Sequence, residues 1–356
     1  MNQQRLQKVL DNMKQAGLHQ LLVTETEPVY YLTGIWVSPM ERMMALYIRE
    51  DGKVTFFGNK LFAIAPQEGL EMVEHTDSDD PVAQLAAAVL PGELGIDETW
   101  PSRFLIGLMS HRPDVKPVLG SEPVAQATMY KDEEERELMR AASRIDDACI
   151  DMAIHAIREG ITEKELSSKV EHFFQEKGCD HLGFSIVAMG ANGADPHHGT
   201  DGTVLKGGDS IVMDIGAPFN HYWCDMTRTV FYKSVSEEQR TVYETVRRAN
   251  EAAIAVVKPG VAFKEIDLAA RKVIEDAGYG EYFTHRTGHS IGMKEHEQPP
   301  VSSECEVIAK PGMIFSIEPG IYLPGKFGVR VEDLVLVTED GCEVLNKYPK
   351  DLIVVE

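Results

Sequence analysis

Ser210-Ile-Val-Met-Asp-Ile-Gly-Ala-Pro-Phe-Asn-His-Tyr-Trp-Cys-Asp-Met-Thr-Arg-Thr-Val-Phe-Tyr232 runs from an apolar segment through a Pro/Asn/His turn into an alternating Thr/Val/Phe segment. That succession predicts a β-hairpin. A turn centred between Phe219 and Asn220 sets Asp214 directly opposite Asp225, and facing residues have Cβ atoms about 4.5–5.5 Å apart. Met313-Ile-Phe-Ser-Ile-Glu-Pro-Gly-Ile-Tyr-Leu-Pro-Gly-Lys-Phe-Gly-Val-Arg-Val-Glu-Asp-Leu-Val-Leu-Val337 repeats the arrangement around a Pro-Gly turn. Centred on Gly325, this second hairpin sets Glu318 opposite Glu332.

Facing like charges destabilise a sheet, and two carboxylates at one site do not ionise comfortably together. A positive group between them resolves both problems. The segment linking the hairpins, His285-Arg-Thr-Gly-His-Ser-Ile-Gly-Met-Lys-Glu-His296, carries three histidines. Carboxylates and imidazoles together suit divalent ions, and a pair of ions roughly 3.5–4 Å apart needs bridging carboxylates and terminal ligands. Asp214, Asp225, His289, Glu318 and Glu332 supply that set, so a dinuclear metal site is expected. Two acids on a hairpin are ordinary in a chain with 57 acidic residues. Acids at symmetric positions of two hairpins, inside runs that read as buried, are not, because unpaired buried charge is costly.

Met213-Asp-Ile-Gly-Ala217, Asp225-Met-Thr-Arg-Thr229, His285-Arg-Thr-Gly-His-Ser-Ile-Gly292, Ile317-Glu-Pro-Gly-Ile-Tyr322 and Gly328-Val-Arg-Val-Glu-Asp333 resemble, in order and spacing, the metal-site motifs of the proline-specific metallopeptidases. That family groups Xaa-Pro dipeptidase (prolidase) with aminopeptidase P, methionine aminopeptidase and creatinase on the "pita-bread" fold. The resemblance spans essentially the whole chain. It implies an α/β (α+β) protein with a creatinase/prolidase-type α/β domain over residues 1–127. A pita-bread catalytic domain with pseudo-twofold symmetry would follow over residues 128–356.

The resemblance also implies roles. Asp214 would hold one ion, His289 and Glu318 the other, and Asp225 and Glu332 would bridge both. A hydroxide bridging two divalent ions would be the nucleophile, with Mn²⁺ favoured by the oxygen-rich donor set and Co²⁺ or Zn²⁺ as substitutes. Glu318 would carry the proton from the attacking water to the leaving amine. His197, seventeen residues before Asp214, and His296, seven after His289, match the spacing of the family's two non-ligand active-site histidines, which stabilise the tetrahedral intermediate. His285, Arg330 and Tyr322 would line the substrate pocket or support the ligands.

The implied activity is hydrolysis of Xaa-Pro dipeptides. The alternatives are an Xaa-Pro aminopeptidase acting on longer peptides and a binding module without catalysis, against which the complete ligand set argues. Many family members carry an Arg four residues after the second active-site histidine, where this chain has Pro300. His285, Arg286 or a group from a partner subunit then remain to hold a substrate carboxylate. A homodimer is part of the resemblance, and Trp36 with Met40, Met43 and Met44 forms an apolar patch that is either core or a contact over the partner's site.

At 356 residues, with 43% hydrophobic and 26% charged residues, the chain has room for two domains of ordinary globular composition. A net charge of −22 argues against nucleic acid and anionic membranes as partners and is compatible with a small peptide. The N-terminus lacks an apolar signal segment, and five cysteines without Cys-x-x-Cys spacing suit neither a disulfide framework nor a thiolate site, so a reducing cytoplasm is expected.

Over the first 125 or so residues, strands are predicted at 21–24, 45–49, 54–57 and 93–96, with helices at 4–16, 60–67, 81–90 and 102–111. A longer helix begins after Lys131, where acids precede bases. Ala153–Leu166 then recurs one hundred residues later as Ala253–Ile266, continuing ungapped to Gly178 and Gly278. This repeat predicts two similar halves with the five candidate ligands between them.

Overall fold

In the computed structural model, which describes residues 1–356, the chain divides into two compact units, Met1–Thr128 and Met129–Glu356. The first is built on a six-stranded sheet of β1 (Gln20–Val23), β2 (Ala45–Arg49), β3 (Val54–Asn59), β4 (Glu71–His75), β5 (Gly92–Ile96) and β6 (Val115–Leu119). Their spatial order is β4-β3-β2-β1-β5-β6. Helices α1 (Gln3–Gln15), α2 (Thr26–Thr33), α3 (Pro81–Ala88), α4 (Ser102–His111) and α5 (Glu122–Met129) complete it. The central strands β1 and β3 are buried along their whole length, which is why they read as apolar runs.

The two strands absent from the sequence reading, β4 and β6, are the sheet's edges. Edge strands tolerate charge and proline, and these carry Glu71, Glu74 and Pro117, so their apolar signal is weak. The helix expected over 60–67 is a single 3-10 turn, Lys60–Phe62. Ala63 takes a left-handed φ of 49° and Pro66 follows, so the turn does not propagate. Met43 and Met44 are core residues, whereas Trp36 and Met40 are exposed, which divides the expected apolar patch.

The second unit opens with α6 (Glu133–Ala156). Its first turn is closed by a reciprocal cap in which Asp132 accepts from the Glu135 N–H and Glu135 accepts from that of Asp132. There follow α7 (Glu163–Glu176), β7 (Phe184–Met189), β8 (Ser210–Gly216), β9 (Pro218–Phe219), β10 (Tyr222–Trp223), β11 (Met226–Tyr232), α8 (Glu237–Val256) and α9 (Phe263–Asp276). The chain ends with β12 (Gly288–Ser290), β13 (Glu297–Val301), β14 (Ile314–Ile317), β15 (Gly320–Leu323), β16 (Phe327–Arg330), β17 (Asp333–Val337), β18 (Cys342–Val344) and β19 (Val354–Val355).

The repeat is structural. Helices α7 and α9, Glu163–Glu176 and Phe263–Asp276, start and stop one hundred residues apart, and the glycines flanking them (160, 178, 260, 278) all have positive φ. The α6–α7 pair packs its apolar face on the sheet β19-β11-β8-β7, burying Val170 and Phe174 against Ile211 and Met213. The α8–α9 pair packs on β13-β12-β14-β17-β18, burying Ile266 and Ile274 with Phe315 and Val335.

The first hairpin corrects the expected register. Asn220 and His221 have φ values of 49° and 69°, the left-handed pair that a two-residue hairpin loop demands and that Asn and His tolerate better than Phe219. The turn is therefore centred one residue later, and Asp214 faces Thr227 rather than Asp225. A shift of two positions keeps side-chain faces unchanged, so Asp214 and Asp225 remain on one face as diagonal neighbours.

The second hairpin keeps the expected register about Gly325 on both sides of a break. Gly320 pairs with Arg330 in one ladder and Ile317 with Asp333 in the next. At the break the Glu318 N–H donates to Thr287 O (2.8 Å) and that of Glu332 to Thr227 O (3.1 Å). Glu318 and Glu332 thus stand at equivalent positions where the hairpin leaves its sheet, and Glu332 is tied to the first hairpin. Close backbone approach holds His289 as well, because a Cβ on Gly288 would lie 2.0 Å from Ser316 O. Gly288→Ala is expected to lower stability by roughly 1–3 kcal/mol, measured as a shift of the urea midpoint, with His289 displaced.

Candidate metal centre

Asp225, just before β11, His289 on β12 and Glu332, just before β17, bring ligand atoms within 4.8 Å of one another, all three side chains being buried. His289 Nε2 lies 3.5 Å from Asp225 Oδ2 and 3.5 Å from Glu318 Oε1. The imidazole is oriented from behind, with Nδ1 at 3.1 Å from Ser290 O, leaving Nε2 to face the carboxylates.

Asp225 Oδ1 and Glu332 Oε1 are buried and have no hydrogen-bond partner. Burial first, and then the field of neighbouring carboxylates, push both carboxyls well above their ordinary range. Two buried, unpartnered acid oxygens beside an aimed imidazole are a poor arrangement for an apolar core and a fitting one for divalent cations. Glu318 differs. Burial alone would raise its carboxyl, but the fields of His289, His285 and Arg330 outweigh it and hold the group below the usual range.

Asp214 stands outside the three-residue cluster. Its Oδ2 accepts from Arg330 Nη2, and it lines the same cleft. Arg330 further donates from Nε to Thr227 Oγ1 (3.0 Å) and from Nη1 to Tyr322 OH (2.9 Å) and Pro196 O (3.4 Å). Thr227 Oγ1 in turn donates to Glu332 Oε2 (2.7 Å), so one threonine links Arg330 to Glu332. Sequence reasoning passed over Thr227. The available signal was its i+2 spacing from Asp225, which puts both on one face of a strand.

Tyr322 OH also meets His285 Nε2 at 2.8 Å, and burial pushes its phenol up to about 12, so the hydroxyl stays protonated. Burial lowers the His285 imidazole, whose other nitrogen meets Arg286 O at 2.7 Å. His197 and His296 both line the cleft, which has a volume of about 200 Å³ and an apolar wall of Phe184 and Ile186. The His296 and His289 rings are 4.0 Å apart, and burial, then the field of His289, lowers His296 to about 4. His198 turns away and pairs with Glu163 at 2.8 Å. Glu163, His198 and Asp201 also cluster, but both Glu163 oxygens are already engaged, by Met189 N and Asn192 Nδ2 on one side and His198 and Asp201 N on the other.

No helix is long and apolar enough to cross a membrane. Residues 137–339 match the family model for metallopeptidase family M24, and residues 5–128 match that for the creatinase/prolidase N-terminal domain. The chain is 35% identical to the Bacillus subtilis protein YkvY, over 98% of this chain and 99% of that one. Among solved structures, the recombinant prolidase of Thermococcus sibiricus superposes with a TM-score of 0.94 at 34% identity, covering 100% of this chain and 99% of its own. A dipeptidase of Pyrococcus horikoshii superposes with a TM-score of 0.93 at 34% identity, covering 99% and 100%.

Proposed function

The chain belongs to metallopeptidase family M24, and from that premise we propose that it is an Xaa-Pro dipeptidase working with two divalent ions. The observation that carries this reading is the pair of buried, unpartnered oxygens of Asp225 and Glu332 beside His289 Nε2, inside a cleft also lined by Asp214 and Glu318. These five residues would hold the ions, which when bound supply Lewis acidity and a lowered pKa for the attacking water. Oxygen donors outnumber the single imidazole and no thiolate takes part, so Mn²⁺ is the ion proposed, with Co²⁺ or Zn²⁺ able to replace it.

Glu318 accepts the proton of the attacking water and delivers it to the leaving amine nitrogen. Its place at the break of the second hairpin leaves its carboxylate clear of ladder contacts, and Ser316 Oγ orients it from 3.1 Å. His197 and His296 donate hydrogen bonds to the scissile carbonyl as charge develops on its oxygen. An Xaa-Pro bond offers no N–H for recognition, and none of these groups requires one. We further infer a homodimer, on the family resemblance, and a cytoplasmic setting that suits five free cysteines.

Purified, Mn²⁺-loaded protein should cleave an Xaa-Pro dipeptide with a higher kcat/KM than an Xaa-Pro-Yaa tripeptide. A preference for the tripeptide would reassign it as an Xaa-Pro aminopeptidase, and turnover of neither would leave a binding module. His197→Ala is expected to lower kcat by about 100-fold or more with a much smaller change in KM, as for loss of one oxyanion donor.

A further inference from the structure

We propose that Arg286 holds the free carboxylate of the substrate's proline residue and so determines the preference for dipeptides; the inference rests on the peptidase reading above. The cleft is rich in acids, with Asp214, Asp225, Glu295, Glu318 and Glu332 in its lining. A dipeptide whose own carboxylate lies one residue beyond the scissile bond needs a cation there. Among the lining residues only Arg286 and Arg330 carry a permanent positive charge. Arg330 is committed, with all three guanidinium nitrogens bonded to Thr227, Tyr322, Pro196 and Asp214. Arg286 is exposed, and its guanidinium has neither a hydrogen bond nor an ion pair.

Other donors near this end of the cleft are excluded by their own contacts. Both ring nitrogens of His285 are occupied, Nδ1 by Arg286 O and Nε2 by Tyr322 OH. Strand β13, which pairs Pro300 with His289, is Glu-Gln-Pro-Pro-Val and offers no cation. Arg286 lines the same cleft as His197 and His296, the two proposed carbonyl donors.

The backbone at Arg286 is held while its side chain is left open. On α9, Asp267 is fully buried, and its Oδ1 accepts from Thr287 N (3.0 Å) and Thr287 Oγ1 (2.8 Å). Arg271, paired with Asp267, donates to His285 O at 3.1 Å. Thr287 O accepts from the Glu318 N–H at 2.8 Å, so the same short segment is registered against a proposed ligand. Residues on both sides of Arg286 are thus pinned, and a planar guanidinium on a fixed stem suits two-point recognition of a carboxylate. A longer peptide has an amide at that position and gains nothing from the charge.

The test compares an Xaa-Pro dipeptide with its Xaa-Pro amide, in which the carboxylate is neutral, for wild type, Arg286→Gln and Arg286→Lys. Arg286→Gln should lower kcat/KM for the dipeptide by about 10- to 100-fold, mostly through KM, and change the amide by no more than about 3-fold. Arg286→Lys should recover part of the loss, since it restores charge without the planar fork. Equal losses on both substrates, or none on the dipeptide, would overturn the assignment. Calorimetric binding of proline and prolinamide to the metal-loaded proteins reads the same contrast without turnover. A wild-type preference for proline that disappears in Arg286→Gln supports the role of Arg286, and an unchanged preference overturns it. Absence of turnover of any Xaa-Pro substrate by wild type would instead remove the peptidase reading, an outcome distinct from either.

Discussion

Asp225→Asn is expected to reduce metal-dependent turnover by about 1,000-fold or more and, at the same time, to make the metal-free protein more stable. The first effect follows from removing an anionic donor from the cluster of Asp225, His289 and Glu332. Metal-derived stabilisation of a hydrolytic transition state amounts to several kcal/mol, and each 1.36 kcal/mol or so is tenfold in rate. The second follows from electrostatics. Without ions, Asp225 and Glu332 are buried acids with orphaned oxygens, and burial holds the Asp225 carboxyl well above its ordinary range. A carboxyl raised in the folded state contributes its stability below the unfolded pKa and loses it as pH rises through the folded value. The neutral amide avoids that loss. The gain, about 1 kcal/mol or more, should therefore be present at neutral pH and vanish as pH falls to about 4. Calorimetric unfolding in chelator at both pH values, beside activity titrated with Mn²⁺, measures the two effects together. A variant with wild-type turnover would contradict the assignment of Asp225.

Arg228→Met should produce the largest loss of stability. Arg228 is almost wholly buried, and it donates to Thr227 O (3.0 Å), Glu332 O, Tyr348 O (2.8 Å) and Pro349 O (3.3 Å) as well as to Asp333 Oδ1 (2.7 Å). One side chain thus ties the first hairpin to the second and both to the C-terminal segment. Burial alone would raise the Asp333 carboxyl, but Arg228 and Lys350 outweigh it and keep the group ionised. Removing Arg228 leaves that charge with Lys350 alone and strands several carbonyls, a change of about 3–5 kcal/mol. This is a large part of the roughly 5–15 kcal/mol that separates folded from unfolded states. Urea denaturation of the metal-free protein reads it directly. The double variant Arg228→Met/Asp333→Leu should lose less than the sum of the single variants, because the stranded charge is gone.

The two hairpins mark where the sequence is legible and where it is not. The second is symmetric about Gly325, whose φ of 72° supports a turn that few other residues adopt, and its register follows from the glycine alone. The first has no glycine at its tip. Its turn is decided by Asn220 and His221 entering the left-handed region, a weaker preference, and the expected centre lay one residue too early. Asp214 and Asp225 still share a face because the resulting register shift was even. Repeats separated by one hundred residues were readable because both copies close with a glycine of positive φ. Thr227 and Arg228 were not. Their importance lies in whom they touch across more than one hundred residues of chain, and neither composition nor periodicity carries that information. The freedom of the Arg286 side chain is of the same kind, since an arginine beside a histidine reads alike whether or not an acid stands within reach.

Metal content tests the central claim most directly. The chelator-stripped protein, dialysed against Mn²⁺ and analysed for bound metal, should retain two ions per chain. The double variant Asp225→Asn/Glu332→Gln, which keeps the volume of both side chains and removes both orphaned carboxylates, should retain none. Two ions held equally by wild type and the double variant, or no ion bound by wild type, would contradict the account.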